Sequence, residues 1–210
     1  MFGNLYDRAL TGERCWIRYD DGSVHGLAVR SWLGSKRRSD SSFDRAVVDL
    51  CDGPTIDLGC GPGRLVADLV RRGIPALGVD QSATAVTLAR RRGAPALHRD
   101  VFDPLPGAGR WSTVLLADGN VGLGGDPLRV LLRAGELLRS GGRCVVEFDP
   151  DTEGVVTRWV RLESSKTIGP WFRWANVGLD GARKLCDDVG LAVSAVQPVN
   201  GRILATLAAA

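Results

Sequence analysis

The sequence predicts an α/β protein built as three layers around a doubly wound, mostly parallel sheet. Residues 53–150 alternate short apolar runs with amphipathic stretches, and this alternation implies crossover connections between parallel strands. The chain has 210 residues, 44% of them hydrophobic, which is enough for one domain with a real core. Charged residues make up 24%, a composition that excludes a disordered chain.

Five strands are predicted in the alternating region, at residues 55–60, 76–80, 96–100, 112–118 and 143–148. A helix over 64–72 follows the first strand, and Ser82 is the predicted N-cap of the helix after the second. Asp126 and Pro127 fit the N-cap and N1 positions of a third helix, which the glycines at 141 and 142 would end. The stretch 101–110 is too short and too rich in proline and glycine for a helix, so we predict a loop there.

The two ends of the chain extend this core. Residues 1–40 are predicted as an N-terminal lid or linker, with weak strand candidates at 15–19 and 24–32 and a solvated basic run at 36–38. Residues 41–210 form the main domain, whose first helix Ser41 or Ser42 would cap. Within it, 151–178 is predicted as an insertion of two antiparallel strands, 155–162 and 168–177. A helix capped by Asp180 and two strands, 191–196 and 203–207, then close the fold.

The most informative segment is the run DLGCGPGR at residues 57–64, where the first strand leads into the first helix. Glycine lets the backbone turn tightly and approach a ligand, and the helix N-terminus offers free N–H groups. Compared with the dinucleotide fingerprint, the third glycine falls one residue early and Arg64 stands where glycine is expected. Asp57 beside this turn would repel a pyrophosphate and attract an ammonium or another cation.

This run resembles motif I of the class I S-adenosylmethionine-dependent methyltransferases, (D/E)-x-G-x-G-x-G, and the resemblance continues in register over roughly residues 40–210. Asp80 matches the acid that binds both ribose hydroxyls, and Asp100 matches the acid near the adenine amino group. Val101 or Phe102 would pack on the adenine, and the loop 118–120 would lie beside the methionine moiety and the methyl group.

The resemblance implies S-adenosylmethionine as the cofactor and a seven-stranded sheet in the order 3-2-1-4-5-7-6, with the last strand antiparallel. It implies cofactor contacts at twelve positions. These are Asp57, Gly59, Cys60, Gly61, Gly63, Asp80, Gln81, Asp100, Val101, Phe102, Asp118 and Gly119.

Candidates for catalysis and acceptor binding are less specific. His25 is a candidate general base by residue type, or else an exposed loop histidine, and Asp118 and Asn120 are placed near the methyl group by topology. Four tryptophans are candidates for an aromatic acceptor pocket, or for ordinary packing: Trp32, Trp159, Trp171 and Trp174. Because successive side chains of a strand alternate in direction, Trp171 and Trp174 would face opposite ways, so at most one shares a face with Phe172.

The function that these features predict is transfer of a methyl group from S-adenosylmethionine to an O or N atom of a small organic acceptor. The loop after the fourth strand lacks the Asn/Asp-Pro-Pro-aromatic tetrad of nucleic-acid N-methylators, and a net charge of +3 is mild, so we expect no nucleic-acid partner. No apolar run reaches the ~18 residues that span a bilayer, which predicts no membrane partner.

The five cysteines include no C-x-x-C pair, so we expect no metal site, and the protein is predicted to be cytoplasmic. Either a monomer or a homodimer is compatible with the sequence. Three alternatives stay open: a non-catalytic or regulatory S-adenosylmethionine-binding protein, a nicotinamide-dependent oxidoreductase and an RNA methylator.

Overall fold

The computed structural model describes residues 3–34 and 38–209, which form two sheets and the helices around them. The α-helices are α1 Gly3–Leu10, α2 Val29–Trp32, α3 Arg38–Asp49, α4 Arg64–Arg71, α5 Ala83–Arg91, α6 Pro127–Leu137 and α7 Leu179–Asp188, with a 3-10 helix at Asn120–Gly125. The strands are β1 Cys15–Tyr19, β2 Val24–Gly26, β3 Thr55–Leu58, β4 Ala76–Asp80, β5 Ala96–His98, β6 Trp111–Leu116, β7 Leu138–Phe148, β8 Val155–Ser164, β9 Phe172–Val177, β10 Leu191–Val199 and β11 Arg202–Ala209.

The larger sheet has seven strands in the order β5-β4-β3-β6-β7-β11-β10. The pairs among β5, β4, β3, β6 and β7 are all parallel, and β11 pairs antiparallel with both β7 and β10. The predicted fold class, strand order and reversed last strand are therefore confirmed. The connection from β5 to β6 contains turns and no helix, as the prolines and glycines predict.

Two faces of this sheet are covered by different helices, which produces the three layers. Along β6, Val114 and Leu116 pack into the cluster that includes α6 and α7, whereas Leu115 between them packs with α3 and α4. This alternation follows from the strand period of two. All of these side chains are fully buried, so the sheet is the apolar centre of the fold.

The second sheet has four antiparallel strands in the order β2-β1-β8-β9. We call it the lid sheet. It joins strands from the N-terminal segment to the two strands of the predicted insertion, which pair as expected. The lid sheet thus brings residues far apart in sequence over the carboxyl ends of the parallel strands. The division at residue 40 stays a prediction.

Several predicted boundaries differ from the structure. Helix α3 begins upstream of Ser41 and Ser42, so neither is its N-cap, and residues 36 and 37 of the basic run lie outside the described residues. Strand β2 ends at Gly26, and the short helix α2 replaces the rest of the predicted strand. Helix α6 ends at Leu137 because the next residues already pair with β6.

Of the N-caps predicted at Ser82, Asp126 and Asp180, the first two are confirmed and the third is wrong. Gly178 is the N-cap of α7, because the Asp180 carboxylate accepts instead from the backbone N–H of Gly154 at 3.0 Å. Ser82 and Asp126 cap their helices as predicted. The five cysteines are free thiols, and within residues 3–34 and 38–209 no helix is long and apolar enough to cross a membrane.

Candidate active site

A cavity of about 360 Å³ lies between the carboxyl ends of β3, β4 and β6 and the lid sheet. Its floor, at the ends of the parallel strands, carries most of the polar side chains. Its roof, formed by the lid sheet and the segment after β2, is apolar. Of the twelve predicted cofactor residues, nine line it: Gly59, Cys60, Gly61, Asp80, Gln81, Asp100, Val101, Phe102 and Asp118. The other three, Asp57, Gly63 and Gly119, do not line it, although each lies within two residues of a lining residue in the sequence.

The glycine turn has the conformation that its sequence requires. Gly59, Gly61 and Gly63 all have positive φ, between 52° and 80°. A Cβ on Gly59 would lie 2.6 Å from the Nδ2 atom of Asn120, which donates to the Leu58 and Gly59 carbonyl oxygens. Gly63 is used for packing, since a Cβ there would lie 2.6 Å from that of Ala89. The turn therefore keeps a bare backbone edge toward the cavity, and Asn120 holds it there.

Asp80 anchors the other side of the turn. Its carboxylate accepts from the backbone N–H of Gly61 at 2.9 Å and of Ser82 at 2.8 Å, one hydrogen bond to each oxygen. Burial raises the pKa of Asp80, and these two hydrogen bonds oppose that effect. Because a carboxylate oxygen can accept more than one hydrogen bond, both oxygens keep capacity for donors on a ligand.

Helix α1 closes the cavity beside this carboxylate. Asp7 accepts a hydrogen bond from the Ser82 hydroxyl, which fixes the helix to the start of α5. The Tyr6 hydroxyl then lies 3.2 Å from where a Cβ of Gly61 would be. Burial, and then the charge of Asp80, raise the pKa of Tyr6 well above its ordinary value, so this phenol stays protonated.

Asp57, the acid that opens the glycine motif, is buried at the end of β3. Its carboxylate accepts no hydrogen bond from the described residues, and only 2% of the residue is exposed. Burial raises its pKa to about 7, although Arg64 acts in the opposite direction. A buried carboxyl without donors is suited to a cation that arrives with a ligand.

Asp118 is held by two arginines. Arg64 donates to both its oxygens, at 2.5 and 3.1 Å, and Arg202 from β11 adds a third hydrogen bond at 2.7 Å. Burial alone would raise the pKa of Asp118, but the charges of Arg64 and Arg202 overcome this effect and lower it. Asp118 is therefore an ionised carboxylate with three hydrogen bonds from arginines, and its lowered pKa makes it a poor general base.

The same network extends to both sides of Asp118. Arg64 also donates from Nε to Asp44 at 3.0 Å, and Arg202 donates from Nε to Glu147 at 2.6 Å. Glu147 in turn accepts from the backbone N–H of Asp118 at 2.5 Å. These contacts fix the loop after β6, where Asp118 has a φ of 54°, a conformation that few residues other than glycine adopt.

The predicted adenine end of the cavity is formed by the loop after β5. Asp100 accepts from the backbone N–H of Phe102 at 2.9 Å, and Val101 is buried beneath this turn. The Arg129 guanidinium lies 3.9 Å from the centre of the Phe102 ring. This contact covers one face of the ring, and Phe102 also lines the cavity.

Three residues predicted for catalysis or acceptor binding also lie outside the main cavity. His25 is exposed on the short strand β2, with its ring 5.3 Å from that of Tyr19, so the structure gives no support to its predicted role as a base. Trp159 and Trp171 are 51% and 42% exposed. The register explains their position, because Val160 pairs with Phe172 and both neighbouring tryptophans therefore point to the outer face of the lid sheet.

The other two tryptophans do line the cavity. Trp174 lies two residues from Phe172 on the inner face of β9, and Trp32 packs edge-to-face against Tyr6 at 5.7 Å between ring centres. Trp174 also borders a second cavity of about 240 Å³, where Gly119 is found. The inference that at most one of Trp171 and Trp174 shares a face with Phe172 is confirmed.

Sequence reasoning missed several cavity residues, chiefly Tyr6, Ile17, Leu27, Leu123 and Leu162. Most of them come from the lid sheet or from α1, whose position depends on long-range pairing. In the sequence, Arg64 stands out only because the dinucleotide fingerprint has a glycine at that position. The sequence signal for the inner face of the lid sheet was the spacing of two between Phe172 and Trp174, which places both side chains on one face of a strand.

Comparisons with known proteins agree with this geometry. The methyltransferase domain family matches residues 56–146. A tabtoxin biosynthesis enzyme of Pseudomonas amygdali pv. tabaci is 32% identical over 100 residues, which are 48% of this chain and 36% of that protein. The match thus spans about a third of the length of that relative.

Solved structures with the same fold include two methyltransferases. A SAM-dependent methyltransferase from Bacteroides fragilis, in complex with S-adenosyl-L-homocysteine, has a TM-score of 0.79 at 17% identity, over 98% of this chain and 93% of that one. The 1,6-didemethyltoxoflavin-N1-methyltransferase of Burkholderia thailandensis, with 1,6-didemethyltoxoflavin and S-adenosylhomocysteine, has a TM-score of 0.61 at 17% identity, over 79% and 77%. Residues 56–146 thus match the methyltransferase domain family, and the chain has the fold of the class I methyltransferases.

Proposed function

We propose that this protein transfers the methyl group of S-adenosylmethionine to an O or N atom of a small organic acceptor. One observation supports this proposal above the others: the glycine turn and Asp80 line one cavity, with the buried Asp57 two residues before Gly59, an arrangement that suits a cationic amino-acid nucleoside. The relative and the two fold neighbours named above are a biosynthesis enzyme and two methyltransferases, which favours the same reaction.

The residues of the floor fit this cofactor group by group. Asp80 has free acceptor capacity for the two ribose hydroxyls, and the bare edge of Gly59 and Gly61 leaves room for the chain that joins ribose to the amino acid. Asp57, with no donor of its own, would stabilise the positive charge of the methionine moiety. Val101 and Phe102 would contact the adenine.

When bound, the cofactor would supply a methyl group already activated by the positive sulfur. The protein then has to align the acceptor and exclude water. The apolar roof can exclude water, and the fixed loop at Asp118 and Asn120 gives the floor a rigid geometry. Rigid placement of the reacting atoms is the main contribution expected of the chain.

The first experiment is titration calorimetry of the purified chain with S-adenosylmethionine, S-adenosylhomocysteine and NAD. We expect heat with the first two and none with NAD. The Asp80→Ala variant should bind S-adenosylhomocysteine about 1–3 kcal/mol more weakly through lost hydrogen bonds to the ribose. An unchanged affinity in this variant, or heat with NAD alone, would contradict the assignment.

A second experiment separates catalysis from binding. The protein is incubated with methyl-labelled S-adenosylmethionine and a metabolite extract, and label in small molecules is measured. Binding without transfer would favour the alternative of a non-catalytic cofactor-binding protein. The hydrogen bonds of Asp118 to two arginines, which leave it a poor base, fit that alternative. The cytoplasmic location and the monomeric or dimeric state stay predictions.

A further inference from the structure

Among residues 3–34 and 38–209, no charged side chain belongs to the roof of the cavity. Six side chains form this roof, four from the lid sheet and two from the segment after β2: Ile17, Leu162, Phe172 and Trp174, with Leu27 and Trp32. Three of the six are aromatic and the others are aliphatic, so the roof offers wide flat contacts and, apart from the indole N–H groups, no polar partner. Burial of an unpaired charge against such a surface is strongly unfavourable.

Near the expected position of the methyl group, the described residues of the floor offer no free base. Asp118 and Asn120 are hydrogen-bonded as described, and the Cys60 thiol has its pKa raised well above the ordinary value by burial. Tyr6 stays protonated beside Asp80. Among the described titratable residues that line the cavity, the remaining candidates for a base are Asp80 and Asp100. Both lie on the side of the cavity assigned to the ribose and adenine.

We propose that the acceptor is an uncharged, flat aromatic amine or nitrogen heterocycle, methylated on a neutral nitrogen without a general base from the protein. This inference rests on the proposed function and deepens it. A hydroxyl group would need a base to become a good nucleophile, whereas an unprotonated nitrogen already carries an available lone pair. The roof is suited to a flat ring, because stacked and edge-to-face contacts add to the area that is buried.

The reaction balances without a protein base. The nitrogen lone pair forms the new N–C bond, and the bond from carbon to sulfur breaks with its electron pair moving to sulfur, which leaves neutral S-adenosylhomocysteine. The positive charge passes to the acceptor nitrogen. Where that nitrogen carries a proton, the proton is released to solvent after the transfer.

Charge on the acceptor would oppose binding in either sign. An ammonium group has no lone pair to donate, and it would lose its hydration against the apolar roof. A carboxylate would find no cationic partner on the roof, and Arg64 on the floor already donates to Asp44 and Asp118. The neutral ring is the form that these residues accept.

Three two-ring probes test this inference without knowledge of the natural acceptor. Quinoline is uncharged at neutral pH, naphthalene-2-carboxylate is an anion, and naphthalen-2-ylmethanamine is a cation. Each is titrated into the protein saturated with S-adenosylhomocysteine, and the change in tryptophan fluorescence gives the dissociation constant. We expect quinoline to bind at least about tenfold more tightly than either charged probe.

Variants then locate the bound probe. Trp174→Leu should weaken quinoline binding severalfold through loss of an aromatic face, while Trp159→Leu on the outer face of the lid sheet should leave it unchanged. Tighter binding of either charged probe to the wild-type protein would overturn the inference, and so would equal effects of the two substitutions. Absence of any S-adenosylhomocysteine binding would instead refute the proposed function, so the two failures are distinguishable.

Discussion

The buried acid Asp57 predicts a pH dependence of cofactor binding. Burial raises its pKa to about 7, with Arg64, Asp118 and Asp80 as the charged groups that face it. The cofactor's positive charge requires the ionised carboxylate, so the protein must lose a proton when the cofactor binds below this pKa. From pH 8 to pH 6 the ionised fraction of a group with a pKa of 7 falls from about 90% to about 10%, which predicts about tenfold weaker binding.

Titration calorimetry at pH 6, 7 and 8 measures this effect, in buffers of different ionisation enthalpy that count the released protons. The Asp57→Asn variant is the matched control, because it keeps the size of the side chain and loses the titration. Its affinity should be weaker at pH 8 and nearly independent of pH beyond the titration of the ligand itself. A tenfold pH dependence that persists in Asp57→Asn would refute the assignment of this effect to Asp57.

The same acid also predicts a gain in stability. A carboxyl whose pKa is raised in the folded state stabilises the fold less as pH rises through that pKa, because the buried group must then carry a charge. The ligand-free Asp57→Asn protein should therefore melt at a higher temperature than the wild type at pH 8, measured by circular dichroism. A lower melting temperature would contradict the burial argument.

Three further predictions concern the turn, the charge network and the lid sheet. Gly61→Val should abolish cofactor binding in calorimetry. Gly93→Val should keep it, because Gly93 also has a positive φ, 84° against 52°, but has open space around it; equal loss would point to backbone strain alone. Arg202→Met should lower the free energy of unfolding by about 3–5 kcal/mol in urea titrations, because it leaves the largely buried Glu147 without its arginine and Asp118 with Arg64 alone. The exposed Arg143→Met should cost less than about 1 kcal/mol, and similar effects of the two would contradict the role of the network. Hydrogen bonds, the largest effect coming from Arg18, lower the pKa of Glu163 to about 2, so the ionised Glu163 stabilises the fold above about pH 4.5 and this stabilisation is lost as pH falls toward 2. The melting temperature of Glu163→Gln should therefore fall less than that of the wild type between pH 6 and pH 3, and parallel curves would contradict this.

Local signals in the sequence predicted the central sheet well. Ser82 and the Asp126-Pro127 pair mark helix starts through their own side chains, and the loop between β5 and β6 follows from proline and glycine content. The glycine turn also encodes its own shape, because its positive φ angles suit glycine. These features depend on residues close in sequence, which a single chain reveals.

The lid sheet depended on pairing that the sequence does not reveal. The face on which Trp159 and Trp171 lie follows from the register between β8 and β9, and Tyr6 reaches the cavity only because α1 docks on the start of α5. Arg202 binds Asp118 across 84 positions of sequence. Each of these contacts joins distant segments, so neither periodicity nor composition could identify the partners.

The crystal structure of the complex with S-adenosylhomocysteine tests the central claim most directly. We predict the ribose hydroxyls within hydrogen-bond distance of the Asp80 carboxylate and the amino-acid part of the ligand along Gly59 and Gly61, toward Asp57. Electron density for the ligand elsewhere, with the edge of the glycine turn left to solvent, would contradict the account of this cavity.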